Sequence, residues 1–428
     1  MCYGAIYIFF KEDVSMKERT NSNVPIDEPP IAPTVSIGII FTLFLGILSA
    51  MVPFSMDMYL PDLPKVAMDF HASASLTQLT IGGFMIGSAL GTLIIGPLSD
   101  GLGRKRPLCG GLLIFTLASI GCMYVTSVWE LIALRFVQGL AGAAGMISPR
   151  SISTDLAKGP ALTKLLAILM FVNGFAPVIA PLIGGQIVRF YSWRMIFAVL
   201  AILGAVMLIG SLCIKESLPP ARRIKGGFSR NFAAFTTLLK KKYVLGHCLL
   251  QAFVFMAFFG YLSGSAFLFQ RIYGTTPQEY SYFFFFNSVG IVLGSALVTR
   301  LVHRFTEYQM MRFTLWWTEL SLVVFSLAVI LQAPLWVTAA TLFCVVSPIA
   351  AFGTVTFAAV LQRESAFAGS VTALLSFFGT VCAGLSAPLV GIAGDSSAVP
   401  MAATMLISQS LGLFVFYKFI RPEHISGH

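Results

Sequence analysis

Charge is what this sequence has least of. Lys, Arg, Asp and Glu make up 11% of its 428 residues, where a soluble domain carries about 25%. A chain this poor in charge cannot cover a water-facing surface. Histidine is also rare, with five in all, and there is no HExxH, GxSxG or Walker A pattern. The usual zinc-hydrolase and serine-hydrolase signatures are therefore missing, as is the phosphate loop that would make ATP the direct energy source. The seven cysteines (2, 109, 122, 213, 248, 344 and 382) are scattered, odd in number and without a CxxC. They support neither a disulfide framework nor a zinc site, and most stand in apolar runs, where Cys is a small hydrophobe.

What fills the chain instead is apolar: 57% hydrophobic residues, 38 Phe and a mean hydropathy of +0.85. Apolar runs of about 20 residues recur along the whole length, each able to cross a hydrocarbon core roughly 30 Å thick. Only helices or closed barrels satisfy their backbone in lipid, and the runs are too long and uniform for alternating barrel strands. The expected fold is therefore an all-α integral membrane protein. Its twelve transmembrane helices fall near 36–58, 76–98, 107–126, 130–149, 163–187, 193–214, 244–269, 281–302, 312–332, 335–359, 367–393 and 399–420.

Basic residues orient it. With the N-terminus inside, cytoplasmic segments hold twenty-three Lys or Arg and outer loops four: Lys65, Arg189, Arg194 and Arg271. That split obeys the positive-inside rule and accounts for the net charge of +10 without nucleic acid. The expected organisation is a cytoplasmic tail (1–35), a six-helix bundle (36–214), a cytoplasmic linker (215–243), a second bundle (244–420) and a short cytoplasmic tail (421–428). The opening MCYGAIYIFFKEDVS has too short an apolar run for a signal peptide. Met16 opens the polar MKERTNSNVPIDEPP, so a start at Met16 stands beside one at Met1.

The two halves echo each other. APLIG at 180–184 returns as APLVG at 387–391, MYL at 58–60 as GYL at 260–262, and the pair Gly87/Gly91 as Gly290/Gly294. These offsets of 207, 202 and 203 residues fall in corresponding helices. Repeats in one orientation, related by an axis along the membrane normal, are a transporter arrangement. A channel would need a lined pore or filter loop instead.

The loop after span two, GPLSDGLGRKRPL (96–108), resembles the G-x-x-x-D-x-x-G-R-[KR] signature of the major facilitator superfamily. The resemblance implies a cytoplasmic latch between the halves built on Gly96, Asp100, Gly103, Arg104 and Lys105, with Gly101 where relatives often carry Arg or Lys. The second-half counterpart GSALVTRLVHRF (294–305) has lost the acid. RFVQGLAGAAG in span four resembles the R-x-x-x-G motif of proton-coupled members. NGFAPVIAPLIGG (173–185) resembles the span-five motif of the antiporter branch, with Pro177, Pro181, Gly184 and Gly185 in place and Ala180 where a glycine is usual. SMDMYLPDLP (55–64) and YLSGSAFLFQRIYGTTPQEYSYFFFFNSVGIVLGS (261–295) are similar to the Bcr/CflA group of bacterial drug:proton antiporters, over roughly residues 36 to 420. This resemblance implies a monomer in a bacterial inner membrane, without cofactor, exchanging small amphipathic drugs of chloramphenicol or bicyclomycin type for protons.

Three charges fall inside spans: Asp57, Arg135 and Glu319, each a functional candidate by its cost in lipid. Asp57 and Arg135 lie at one depth, about 7 Å in from the outer boundary at 1.5 Å per residue, so pairing across a cavity is expected. Asp57 is expected to carry the proton and Arg135 to tune it; a static pair holding spans one and four together would use the same residues. Glu319, seven residues beyond Arg312, can snorkel toward the cytoplasmic interface. A cavity near the midplane would draw polar contacts from Tyr59, Gln138, Asn173, Gln251, Tyr261 and Asn287, among Phe255, Phe259 and Phe285. The rival reading is a carrier of the same fold that exports or exchanges an endogenous metabolite such as an amino acid.

Overall fold

Prolines decide where the long apolar helices bend. The structure is a computed structural model that describes residues 39–223, 235–301, 304–364, 368–394 and 397–420; both tails and the middle of the 215–243 connection lie outside these. The first span breaks into α1 (Ile39–Ser49) and α2 (Met51–Asp57), then passes through a 3-10 turn (Leu60–Asp62) into α3 (Leu63–Asp69). The axis bends by 48° at the break. Pro53 cannot donate to the carbonyl four residues back, at Ser49, which is where the ladder fails. There follow α4 (Ala74–Leu102), α5 (Lys105–Tyr124), α6 (Val128–Leu156), α7 (Gly159–Phe190) and α8 (Arg194–Cys213).

In the second half α9 (Lys242–Phe267) ends in a π turn, Leu268–Ile272, and α10 (Pro277–Leu301) and α11 (Glu307–Ile330) follow. The tenth span breaks into α12 (Leu335–Val346) and α13 (Ile349–Arg363), and α14 (Ala368–Val390) and α15 (Val399–Val415) complete the chain. Pro348 frees the Cys344 carbonyl, and the Trp317 indole N–H donates to it at 3.0 Å, so the break carries no unmet acceptor there. Among the described residues eleven helices are long and apolar enough to cross a membrane, twelve when the bent first span is counted as one.

The internal repeat is visible in the packing. Gly87 and Gly91 bring α4 onto α6, where an added Cβ would stand 2.1 Å from the Phe136 carbonyl and 2.3 Å from that of Leu140. Gly290 and Gly294 bring α10 onto the tenth span, against Phe343 and the Ser347 carbonyl. Phe343 and Ser347 follow Phe136 and Leu140 by 207 residues each, so both halves use one helix-pair design. Small residues allow this approach where lipid supplies no hydrophobic drive.

Gly139 makes the tightest test of it. Its Cβ would lie 2.0 Å from the Phe84 carbonyl, whereas nothing stands within 4 Å of Gly110. Gly139→Ala should force α4 from α6 and cost about 1–3 kcal/mol, read as an earlier thermal transition in detergent. Gly110→Ala should leave the transition in place.

The halves meet along α4 with α14 and along α7 with α10. Hydrogen bonds across this junction gather at the end away from the basic loops. Ser75 Oγ donates to the Pro388 carbonyl at 2.6 Å, Gln78 to that of Ser263 at 3.1 Å and Gln278 to that of Gly185 at 2.8 Å. Ser281 Oγ donates to Pro181 O at 3.0 Å. Gly82 and Gly384 pass with a Cβ of Gly82 only 2.5 Å from the Gly384 carbonyl, which Pro388 has released from the helix ladder. This end is sealed.

Candidate functional site

Arg135 sits on α6 with no exposed surface. Its Nη1 donates to the Ser55 carbonyl (3.2 Å), to Ser55 Oγ (3.0 Å) and to Gln138 Oε1 (2.6 Å). Gln138 in turn donates to Ser119 Oγ at 2.7 Å. Nε and Nη2 find no hydrogen-bond acceptor; the guanidinium instead faces the rings of Phe84, Tyr59 and Phe197, at 4.2, 5.1 and 5.7 Å. Aromatic faces attract a cation, most strongly where water is excluded.

Asp57 does not join this network. Among the described residues no ion pair links it to Arg135, and its Oδ1 is buried without a hydrogen-bond partner. The equal depth read from the sequence is correct, but direction separates the two. Ser55 faces Arg135, and a residue two further along a helix points about 200° away. Asp57, only 2% exposed, is therefore turned toward the second half, within electrostatic reach of Tyr261 and Tyr280. The expected pairing across a cavity is corrected here to two separate sites joined by three residues of α2.

The span-five motif holds this segment in place. An added Cβ on Gly184 would lie 2.1 Å from the Met58 carbonyl, directly after Asp57, and one on Gly185 would lie 2.4 Å from Ser281 Oγ. Pro181 frees the Pro177 carbonyl, which accepts from Ser288 Oγ at 3.4 Å. One helix thus braces the acid-bearing segment and the second half together.

The six polar cavity candidates divide. Tyr59 and Gln138 are fully buried inside the first half, serving Arg135 rather than a cavity; Tyr59 also accepts from Thr80 at 3.2 Å. The break in the first span turns Tyr59 inward, which its match to Tyr261 by repeat position could not reveal. Asn173 ties α7 to α1 through Ser49 Oγ at 2.6 Å. Asn287 donates to the Tyr261 hydroxyl at 3.0 Å, and Gln251 keeps a buried Oε1 without a partner. Glu319 accepts from Ser410 of α15 at 2.6 Å. A cavity of about 820 Å³ lies elsewhere, on the flank of the second half between α10, α11 and the tenth span, walled by Phe313, Trp316, Trp317 and Phe343. Its lining comes wholly from the second half and does not include Asp57, so we place no transport chemistry there.

At the basic end the latch residues bind within the first half. Arg104 donates to Asp155 Oδ2 at 2.9 Å and pairs with Asp100, while Lys105 Nζ donates to the Leu212 carbonyl at 2.6 Å. Gly103 takes a φ of +95°, a conformation natural to glycine, and Gly96 has open space around it. The expected link between halves is corrected for this state, because the seal is at the opposite end. Asp155 and Glu216 went unread in the sequence for want of a motif. In the second half Gln362 donates to Glu307 at 2.8 Å, at repeat positions matching Asp155 and Arg104; an amide stands for the acid and an acid for the arginine, so the ion pair becomes an amide–carboxylate bond.

Glu216 accepts from the backbone N–H groups of Arg104 (2.8 Å), Lys105 (3.2 Å) and Leu218 (3.1 Å). Burial works against its charge, but these donors and Arg223 outweigh it and hold the carboxyl below its usual value. A lowered value stabilises the fold above the ordinary Glu range of about 4.3 and is lost as pH falls through the folded value. Glu216→Gln should therefore lower the thermal transition by no more than about 1 kcal/mol at neutral pH. Once the pH has fallen through that lowered value the difference from the parent protein should vanish.

Residues 43–388 match the family model described as Major Facilitator Superfamily. The chain is 33% identical over 394 residues to the MFS-type transporter YdgK of Bacillus subtilis, covering 91% of this chain and 98% of that protein. It is 31% identical over 380 residues to the bicyclomycin resistance protein homolog of Haemophilus influenzae, covering 88% and 95%. Among solved structures, a bacterial homologue of the human lysosomal transporter Spinster superposes with a TM-score of 0.70 at 17% identity, covering 89% and 97%.

Proposed function

Because the chain belongs to the Major Facilitator Superfamily, and is thus a multi-pass membrane transporter rather than an enzyme, we propose that it exports amphipathic drugs in exchange for protons. The cycle is alternating access across a bacterial inner membrane, carried out by a monomer with both termini in the cytoplasm. One observation carries the reading: Asp57 is a buried carboxylate with an unpartnered oxygen, set where the two halves meet. An ion so placed is uncompensated and costly. The acid is therefore neutral while the halves enclose it and ionises when they part around it. A site that moves between two solvent exposures takes protons from one side and gives them to the other.

Direction follows from charge. The basic loops mark the cytoplasmic end, so the sealed end faces outward and the described state is the one that would collect drug from the cytoplasm. Substrate contacts come from the second half, from Tyr261, Asn287 and Gln251 with their aromatic neighbours, and from Asn173 at the edge of α7. Few fixed charges among many rings suit neutral or weakly cationic amphiphiles, in keeping with relatives named for bicyclomycin and multidrug resistance. Arg135 acts on Asp57 through Ser55, two residues before it, as a positioning residue.

The test is drug-driven proton release from proteoliposomes holding a pH gradient, over a panel of chloramphenicol-like compounds, bicyclic compounds, cationic dyes and amino acids. Dissipation by drugs supports the reading. Dissipation by amino acids alone replaces drug export with metabolite export, and solute movement without protons removes the coupling.

A further inference from the structure

Asp62 is a second buried acid, five residues beyond Asp57, that the cycle above does not use. It ends the 3-10 turn and stands at the N-cap position of α3, yet its side chain makes no capping bond. It is 1% exposed, and neither carboxylate oxygen has a hydrogen-bond partner. Among the described residues it forms no ion pair, although Lys65 is three residues on. The two ordinary uses of an acid at a helix start, capping and pairing, are both unfilled.

Its surroundings are the seal itself. The turn packs against α7, α9 and α10. From the second half Gln270 donates to the Pro61 carbonyl at 2.6 Å and Arg271 to that of Pro64 at 3.3 Å, so the peptides flanking Asp62 are gripped across the junction. The nearby charges are otherwise engaged. Asp69 accepts from the Trp193 indole at 2.8 Å and lies 3.7 Å from Arg194. Glu279 accepts from Thr276, and Arg189 lies over Phe190. Of these groups Lys65 alone is close enough to weigh on Asp62 with positive charge, and it is outside bonding distance.

We propose that Asp62 is a proton-operated gate: the outer seal closes over its neutral carboxyl and opens to leave a carboxylate in water. The proton enters from the outer solution on closing and returns there on opening. Asp62 thus adds nothing to the protons carried per cycle. It makes outside acid drive the empty transporter shut, the direction an exporter needs after releasing its cargo. The inference rests on the orientation and exchange proposed above.

Linkage fixes the sign. The closed state binds one proton more than the open state, so closure is favoured at low pH and lost as pH rises. Above the ordinary carboxylate range near 4, the closed-to-open ratio should fall about tenfold per pH unit while the closed form keeps its proton. Spin labels at Tyr191→Cys and Trp336→Cys report it, since both positions are well exposed at the sealed end, one in each half. The full chain, with its native cysteines replaced, is placed in lipid nanodiscs and the label distance measured by double electron–electron resonance. Asp57→Asn is included throughout to remove that titration.

With Asp62 intact, the short distance at about pH 5 should give way to a longer one by about pH 9. With Asp62→Asn or Asp62→Ser the short distance should hold at both values, which also shows that the variants fold. A flat profile with Asp62 intact overturns the gate, as does a titration that survives both substitutions. A titrating gate in a protein that fails the liposome exchange assay retires the antiport reading and leaves the gate standing.

Discussion

Asp57→Asn should abolish substrate-driven proton release while leaving the protein folded and able to bind drug. Asn matches the carboxyl in size and is neutral, and the parent side chain has an oxygen with no partner, so little is lost in packing. What is lost is the exchangeable proton. A positioned acid or base contributes about 10²–10⁴-fold to a proton-transfer step; exchange in proteoliposomes should fall by at least about 100-fold. Thermal stability should stay within about 0.5 kcal/mol of the parent, as for a substitution that removes no contact. Drug binding by tryptophan quenching should persist and lose its pH dependence. Undiminished exchange in this variant would end the carrier role of Asp57.

Arg135 should separate stability from transport. Its burial as a cation without a carboxylate is itself costly, offset by Ser55, Gln138 and three ring faces. Arg135→Ala deletes the donor and opens a void beside Phe84 and Phe197, and should cost about 3–5 kcal/mol. Arg135→Met fills most of that space without a charge. It leaves the Ser55 and Gln138 acceptors unmet, for about 1–3 kcal/mol. Both should lose most exchange, because the segment between Ser55 and Asp57 is no longer held. Arg135→Lys keeps the charge but not the flat, weakly hydrated group that suits three rings, so it should not restore wild-type rate. Melting curves paired with liposome exchange check all three, and a methionine variant that transports normally would reduce Arg135 to a packing role.

Much of this molecule is legible in its sequence because lipid leaves a chain few choices. A run of some 20 apolar residues must be a helix, and the repeat offsets place those helices in two matching sets. The glycines that repeat, Gly87/Gly91 and Gly290/Gly294, are those that permit close helix contact. The latch loop is readable too, since a glycine at positive φ beside Arg104 leaves a local pattern. Glu216 and Asp155 left none, because the positions that complete a turn from distant helices carry no spacing rule.

The buried acid Asp57 and the buried Arg135 show where that legibility stops. Sequence by itself determined the helical membrane fold, the internal repeat, the side that carries the basic loops, and that Asp57 and Arg135 lie at one depth. These follow from hydropathy, charge and a fixed rise of 1.5 Å per residue. Tertiary structure alone decided that the two point apart, that Tyr59 turns inward while Tyr261 meets Asn287, that Asp62 lies unpartnered in a seal, and which end is shut. Rise along a helix is set locally by the backbone. The direction a side chain takes around a bent, proline-broken span depends on which neighbour packs against it, and that is fixed only when the halves come together.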